Sequence, residues 1–118
     1  RPTLIAALMV ERGEADAMIC GLVGRFHKKL GYMRSVFGLD PGVSCTSAMT
    51  GVINEQGVWF FLDTHVQLDP TAEQIAEATL QASYRLKLFG IEPKVALLSH
   101  SNFGSHDDPS AAKMRKAY

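Results

Sequence analysis

The 118 residues are 47% apolar and carry twelve basic and twelve acidic side chains, so the formal net charge is zero. This length and composition predict a single globular domain over residues 1–118 with one modest core. Balanced charge excludes the basic footprint of nucleic-acid-binding proteins, and no apolar stretch approaches the roughly 20 residues of a membrane-spanning helix. We therefore expect neither a nucleic acid nor a membrane as partner, and a cytoplasmic location.

The ends of the sequence and its two cysteines give two further expectations. The chain opens at Arg1 without a methionine and stops at KMRKAY inside a predicted helix, so we expect a piece of a longer protein. Cys20 and Cys45 are too few for a disulfide framework, and disulfides are rare inside cells. Both cysteines are predicted to be buried free thiols.

The first third of the chain predicts helix, strand and helix. PTLIAALMVERG has Pro2 where the first helical turn tolerates it and Gly13 at its end. ADAMIC, residues 15–20, is short and mostly apolar and predicts a buried strand that ends in glycine-containing GLVG. RFHKKLGYMRSVFG then predicts a second helix. The predicted apolar faces of the two helices comprise Leu4, Ile5, Leu8 and Met9 in the first and Leu30, Met33, Val36 and Phe37 in the second.

The remainder predicts a hairpin, a long helix, a strand and a last helix. SCTSAMTGVI and VWFFLD flank a polar connection at residues 54–57, which is typical of a β-hairpin. The next helix begins either with Asp69 as cap before Pro70 or with Thr71 and Gln74 as a capping box. KVALLS, residues 94–99, predicts a strand covered on both faces, and a last helix begins near residue 108. The predicted buried stripe of the long helix comprises Ala72, Ile75, Thr79, Ala82, Leu86 and Phe89.

Alternating helices and apolar strands predict an α/β fold of three α/β/α layers around a mixed sheet. Ligands of such folds bind beyond the carboxyl ends of parallel strands. Three stretches follow predicted strands: residues 20–24, residues 63–65 and residues 99–105. If the strands run parallel, these loops share one rim and form one site.

The loop SHSNFGS supplies hydroxyls, an amide, an imidazole and a glycine, which are groups that hold anionic ligands; the same residues also cap ordinary turns. Asp63 is a candidate base or ligand-hydroxyl acceptor, or it ties down its own loop through backbone N–H groups. RFHKK meets ligand phosphates or forms a solvated helix face. The four histidines have no metal-site spacing, so no metal site is predicted. The candidate ligand-binding residues are Gly21, Arg25, Asp63, Thr64, Ser99, His100, Ser101, Asn102, Gly104 and Ser105.

The stretches ADAMICG, FLDTHVQLDPTAEQIAE, FGIEPKVALLSHSNFGS and PSAAKMRKA, in this order, resemble the phosphate acetyl- and butyryltransferase family over nearly the whole chain. The wording is most similar to the phosphotransacetylase-like C-terminal domain of bacterial hybrid NADP-dependent malic enzymes. The resemblance implies two α/β/α subdomains around a coenzyme A and acyl phosphate cleft, with this chain as most of the second subdomain. The catalytic serine, arginine and aspartate of the family lie downstream, so none is assigned to this chain.

Two departures from the family pattern concern function. Gly31-Tyr32 stands where transferases usually have Arg-Pro, and Leu62-Asp63-Thr64 stands where they often have Ala-Asp-Cys. Loss of an arginine removes a fork-shaped phosphate donor that glycine cannot replace. The resemblance therefore implies a domain that binds an acyl-CoA without transferring the acyl group.

The function implied is that of an acetyl-CoA-sensing regulatory and oligomerisation domain of a malic enzyme that oxidatively decarboxylates malate to pyruvate. Its NADP and divalent metal, Mg or Mn, are expected in a malic domain outside this sequence. Expected partners are acetyl-CoA or a related acyl-CoA as effector, the rest of the parent chain, and further copies in a homo-oligomer. The alternatives are an active phosphate acetyl- or butyryltransferase and a purely structural assembly domain.

Overall fold

The computed structural model describes residues 2–102 and 105–118. The chain divides into two compact units, Arg1–Gly42 and Val43–Tyr118. The helices and strands are α1 (Pro2–Glu11), α2 (Phe26–Phe37), β1 (Met49–Asn54), β2 (Gly57–Leu62), α3 (Ala72–Leu88) and α4 (Pro109–Ala117).

The first unit consists of α1 and α2, which pack against each other. Both helices are confirmed, and α1 ends as its glycine predicts. Gly13 has φ +70°, its N–H donates to Val10 O at 3.0 Å, and Glu14 N–H donates to Met9 O at 2.8 Å. The packed face of α1 differs from the prediction, because Ala7 is fully buried whereas Ile5 is 58% exposed. A small side chain allows neighbouring backbones to approach closely and leaves larger neighbours at the surface.

The second unit contains the predicted hairpin, which is confirmed. β1 and β2 pair antiparallel with Asn54 opposite Gly57 and Thr50 opposite Phe61. A two-residue loop connects them, and Asn54 closes it because its Oδ1 accepts from Gln56 N–H at 2.9 Å and Gly57 N–H at 3.1 Å. Gly57 has φ +143°, a backbone conformation that few other residues adopt.

α3 begins with the second of the two predicted caps. Thr71 N–H donates to Gln74 Oε1 at 2.9 Å and Gln74 N–H donates to Thr71 Oγ1 at 3.3 Å, which is a complete capping box. The helix ends at Leu88, and Gly90, which has φ +74°, follows its end and donates its N–H to Lys87 O at 2.9 Å. Of the predicted stripe, Phe89 is 77% exposed because the helix ends before it. The buried residues of α3 are Ala72, Ala78, Ala82 and Leu86.

α4 begins at the predicted place and packs against α3. Asp108 caps it by accepting Ala111 N–H at 2.8 Å, and Pro109 occupies its first turn. Lys113 of α4 forms an ion pair with Asp69, and Lys116 Nζ lies 2.6 Å from Glu73 Oε1. Ala111 is the residue that α4 buries.

The predicted strands at residues 15–20 and 94–99 are wrong for this structure. Within residues 2–102 and 105–118, the sheet has two strands, β1 and β2, and is antiparallel rather than mixed. A strand requires ladder hydrogen bonds to a neighbour, and apolar sequence alone does not supply them. Ile19 and Leu98, which the prediction buries, are 102% and 72% exposed. Helices beside this small sheet remain consistent with the α/β class.

Candidate functional site

The loop before α2 has an unusual backbone. Leu22 has φ +62° and Gly24 has φ +92°, so two of its residues adopt the left-handed region. Val23 N–H donates to Gly21 O at 2.7 Å, and Lys29 Nζ donates to the same oxygen at 2.6 Å. The loop therefore curls around one carbonyl, with a lysine from the first turns of α2 attached to it.

The N-terminus of α2 follows this loop and has no side-chain cap. Arg25 occupies the cap position with φ −80° and ψ 135°, and its side chain accepts no hydrogen bond from the first turn. The N–H groups that open a helix favour anions, because they lack partners within the helix and carry the positive end of its dipole. Arg25 and Lys28 are exposed beside them, and Lys29 is half-buried. The local charge is accordingly positive.

A cavity of about 300 Å³ lies between this loop and α2 within the first unit. It combines apolar walls with a lysine and glycine backbone, which suits a ligand that carries both apolar and anionic groups. Of the predicted site residues, Gly21 lines it, and Arg25 lies next to its wall in sequence. The lining residues are Cys20, Gly21, Leu22, Gly24, Phe26, Lys29, Leu30 and Met33.

The sequence placed Cys20 in the candidate stretch of residues 20–24, but it did not predict the apolar residues of α2 as lining of a cavity. The sequence contained little indication that Leu30 and Met33 line a cavity, because the same residues also form the apolar face of α2. Cys20 and Cys45 are both free thiols, as predicted, but they are half-buried rather than buried.

Asp63 lies at the end of β2 in a left-handed conformation with φ +50°. Its N–H donates to Ala48 O at 2.6 Å, and its Oδ1 accepts Val66 N–H at 3.1 Å and Gln67 N–H at 3.0 Å. Gln67 Nε2 also donates to Thr46 O at 3.1 Å. These hydrogen bonds are the ones predicted if Asp63 ties down its own loop. Asp63 is half-buried.

Thr64 occupies the centre of a hydrogen-bonded chain of three side chains. Its Oγ1 lies 2.9 Å from Thr50 Oγ1 and 2.7 Å from His65 Nδ1. Thr64 and His65 are exposed, and Thr50 is half-buried. Sequence reasoning selected Thr64 but missed Thr50, whose proximity follows from the hairpin register that places it opposite Phe61.

The loop SHSNFGS, called the serine loop from here on, has hydrogen bonds among its own described residues and to His106. Ser99 Oγ accepts Ser101 N–H at 3.2 Å, Ser101 Oγ accepts His106 N–H at 3.0 Å, and Ser105 N–H donates to Asn102 O at 3.0 Å. These bonds favour the turn-closing interpretation, although each accepting hydroxyl keeps an O–H that is able to donate. Ser99 and Ser101 are half-buried, whereas His100, Asn102 and Ser105 are exposed. Gly104 lies outside the described residues.

The shared rim stays a prediction. Gly21 and Arg25 belong to the first unit, whereas Asp63, Thr64 and the serine loop belong to the second. Each unit presents its own group of candidate residues.

Two carboxylates of α3 have lowered pKa values. A hydrogen bond from Lys116, with smaller contributions from the backbone N–H of Glu73 and from Thr71, lowers the pKa of Glu73 from 4.5 to about 2. Hydrogen bonds from the Ser44 hydroxyl, at 2.5 Å, and from its N–H, at 2.8 Å, lower the pKa of Glu77. Both carboxylates connect α3 to other parts of the second unit, so they act in holding its segments together.

Within residues 2–102 and 105–118, no three His, Cys, Asp or Glu side chains are arranged to hold a metal ion. None of the helices described is long and apolar enough to cross a membrane.

Comparison with known proteins decides the family. A family model described as phosphate acetyl/butaryl transferase matches residues 1–118. The chain belongs to the phosphate acetyl/butaryl transferase family. The resemblance seen in the sequence is thereby confirmed.

Members of this family and related chains differ in their distance from this one. An NADP-dependent malic enzyme of Escherichia coli (strain K12) is 53% identical over 98% of this chain. A phosphate acetyltransferase of Synechocystis sp. is 37% identical over 93% of it. The chain spans about 15% of the length of the malic enzyme and 16% of the length of the transferase.

The fold of the family is also found in this chain. A phosphotransacetylase from Streptococcus pyogenes matches with a TM-score of 0.84 and 28% identity, over 98% of this chain and 36% of that chain. The predicted α/β fold of phosphotransacetylase type is confirmed.

Proposed function

We propose that this chain is the acetyl-CoA-sensing regulatory and assembly domain of an NADP-dependent malic enzyme, which oxidatively decarboxylates malate to pyruvate. The observation that carries the proposal is the difference in identity, 53% to a malic enzyme against 37% to a phosphate acetyltransferase. Because the chain spans about 15% of the malic enzyme, the proposal assigns malate, NADP and the divalent metal to another part of a longer parent chain. A cytoplasmic location is part of the proposal.

The cavity beside α2 supports an acyl-CoA as effector. Coenzyme A carries phosphates on its nucleotide and a long pantetheine arm in which methylene and methyl groups alternate with amides. Lys29 and the uncapped start of α2 suit a phosphate, and Leu30 and Met33 suit the methylene and methyl groups of the arm. A volume of about 300 Å³ is at the lower end of ligand sites, so this cavity accommodates one part of the effector.

The serine loop of the second unit is, in this proposal, a separate candidate for binding a polar group of an acyl-CoA. Ser99 and Ser101 keep their hydroxyl protons while their oxygens accept backbone N–H groups. In this proposal, acetyl-CoA binds more tightly to a conformation of the parent enzyme that turns over malate slowly. The coupling free energy between two such sites is usually about 1 to 3 kcal/mol.

The test is malate oxidation by the intact protein with NADP, with and without acetyl-CoA. We expect acetyl-CoA to inhibit, and we expect Ser99→Ala, Ser101→Ala and Ser105→Ala each to weaken inhibition without altering turnover in its absence. Ser35→Ala is the matched control, because its hydroxyl donates to Tyr32 O at 2.8 Å on α2, outside the candidate loop. Unchanged inhibition in all three variants contradicts the sensing role of the loop.

Calorimetry with acetyl-CoA separates sensing from pure assembly. Heat of binding to the intact protein supports the effector site. If no heat and no thermal shift are observed, the domain has an assembly role alone.

The second candidate function is acyl transfer between coenzyme A and phosphate. It is favoured by the family match over residues 1–118 and by the fold shared with a phosphotransacetylase. The two candidates differ in one measurement, the formation of acetyl-CoA from acetyl phosphate and coenzyme A by the intact protein. Robust turnover favours the transferase and rejects a domain that only senses.

A further inference from the structure

The loop before α2 contains a strained turn with a leucine at its centre. Val23 N–H donates to Gly21 O at 2.7 Å across Leu22, which has φ +62°. A hydrogen bond of this span around a residue of positive φ makes a γ-turn of the strained kind, and positive φ is an outlier for a bulky side chain. Leu22 is also fully exposed, at 107%. The chain therefore holds a leucine where both its backbone and its apolar side chain are unfavourable.

A charged hydrogen bond stabilises this turn. Lys29 Nζ donates to the same Gly21 O at 2.6 Å, so this oxygen accepts two hydrogen bonds, one of them from an ammonium group. Hydrogen bonds from charged donors are stronger than neutral ones. Backbone strain persists only where the surrounding structure holds it, and it concentrates at ligand-binding sites and switch regions. Lys29 supplies such a hold here.

Glycines flank the turn, and a cavity with apolar walls lies beside it. Gly21 precedes Leu22 and Val23, and Gly24 follows them; glycine adopts a wide range of backbone angles, so these positions allow the segment between them to swing. A Cβ at Gly21 would meet nothing within 4 Å, so space is present at this end of the segment. The cavity has a volume of about 300 Å³. Its apolar lining on α2 consists of Phe26, Leu30 and Met33.

We propose that the lid, defined here as residues 21–24, closes over this cavity when Lys29 binds an anion. A phosphate oxygen carries a negative charge, so it competes with the neutral carbonyl of Gly21 for the ammonium group. Loss of the bond from Lys29 releases Leu22 to negative φ, and its side chain then leaves water and covers the apolar lining of α2. The lid thus couples recognition of an anionic group to enclosure of an apolar group of the same ligand.

This inference rests on the proposed function in one respect, because acetyl-CoA supplies the anion. Closure itself involves residues of the first unit alone and is measurable without a ligand. The lid and the effector therefore fail or succeed separately.

The reactivity of Cys20 reports the state of the lid. Cys20 is a free, half-buried thiol that lines the cavity next to the lid. Its alkylation by iodoacetamide in the intact protein is followed by mass spectrometry, with Cys45 of the second unit as internal reference. We expect saturating acetyl-CoA to slow alkylation of Cys20 about tenfold, which corresponds to about nine closed molecules for each open one, and to leave Cys45 unchanged.

Variants without a ligand separate closure of the lid from shielding by acetyl-CoA. Lys29→Met removes the charged hydrogen bond to the turn, so we expect the lid to close and alkylation of Cys20 to slow. Lys28→Met removes an exposed charge one residue earlier and is the matched control. Leu22→Asn removes the apolar side chain that covers the cavity, and asparagine tolerates positive φ. Combined with Lys29→Met, it is expected to restore most of the rate.

The double variant also separates the lid from the effect of charge on the thiol. Loss of a nearby lysine slows alkylation by itself, because the thiolate is the reacting form. That contribution is equal in the single and the double variant, so the rate restored by Leu22→Asn measures the lid. Circular dichroism verifies that the variants are folded.

Two results overturn the proposal. One is alkylation of Cys20 that is no slower in Lys29→Met than in the double variant. The other is protection by acetyl-CoA that is equal in Leu22→Asn and in the unsubstituted protein, which assigns the protection to shielding by the ligand. If calorimetry shows no binding of acetyl-CoA, the proposed effector is rejected, and the variants without a ligand still decide whether the lid closes.

Discussion

The loops at residues 20–24 and 63–67 both follow a predicted strand, yet they use their polar groups differently. In the second loop, one carboxylate oxygen of Asp63 accepts two backbone N–H groups and Gln67 binds Thr46 O. In the first loop, two donors meet at one carbonyl, that of Gly21, and the following helix has no side-chain cap. A loop whose acceptors are engaged by its own backbone N–H groups fixes the shape of the chain, whereas the uncapped N–H groups at the start of α2 are suited to bind an anion.

The largest effect is expected from removing the carboxylate that ties residues 63–67. Asp63→Ala deletes the acceptor of two part-buried N–H groups and leaves an alanine at φ +50°. We expect a loss of about 2–3 kcal/mol in the free energy of unfolding, measured by urea denaturation. Asp63→Asn keeps an oxygen at the same place and tolerates this backbone, so it is expected to cost less than half as much. Equal losses in the two variants contradict the role given to Asp63.

The next effect concerns ligand affinity at residues 20–24. Lys29→Met keeps an unbranched side chain but removes the positive charge that lines the cavity. We expect affinity for acetyl-CoA to fall about tenfold by calorimetry, because a charged hydrogen bond to phosphate is lost. Lys28→Met removes an exposed charge one residue earlier and serves as control. If both variants bind equally, the first loop is not the anion-binding one.

A pair of glycine substitutions separates backbone strain from ligand contact. Gly24 has φ +92°, so Gly24→Ala is expected to cost about 1 kcal/mol of stability although its added methyl group meets only Lys29 Cε, at 3.9 Å. The Cβ of Gly21→Ala meets nothing within 4 Å, so its stability should change little. If the effector approaches the Gly21 backbone, this second variant weakens acetyl-CoA binding while its melting temperature stays unchanged.

The smallest expected effect is a loss of stability of the second unit at low pH. The pKa of Glu73 is about 2 in the folded chain against an ordinary 4.5. The unfolded chain therefore binds more protons between these values, and stability falls as pH decreases from 4.5 toward 2. Urea titrations across this range are expected to show a shallower decline for Glu73→Gln than for the unsubstituted chain. Identical slopes contradict a contribution from the pair with Lys116.

Local signals predicted the helices and the hairpin well. The capping box at Thr71 and Gln74 and the glycines at positions 13 and 90 are short-range features, and the structure contains each of them. The strands at residues 15–20 and 94–99 were not predictable in the same way, because a strand depends on a distant partner for its hydrogen bonds. Continuous apolar sequence indicates burial without naming that partner.

The candidate site was predictable only in part for a related reason. Gly21 and Arg25 stand out because a glycine and a basic residue follow an apolar run. Lys29 was visible only as one member of a charged stretch, and its bond to Gly21 O depends on the curl of the loop. Thr50 joined Thr64 through the hairpin register, which fixes contacts between residues fourteen positions apart.

The hydroxyl groups of Thr50 and Thr64 form a hydrogen-bonded chain that ends at Nδ1 of His65, so the directions of these hydrogen bonds depend on the tautomer of the imidazole. If the ring carries its hydrogen on Nε2, Nδ1 accepts from Thr64, and Thr64 in turn accepts from Thr50. A hydrogen on Nδ1 reverses the bond between His65 and Thr64, and Thr64 is then able either to donate to Thr50 or to accept from it. Nitrogen chemical shifts of His65 that show a hydrogen on Nε2 therefore fix the direction of both hydroxyl groups, that of Thr50 on β1 and that of Thr64 after β2, without any direct observation of their protons.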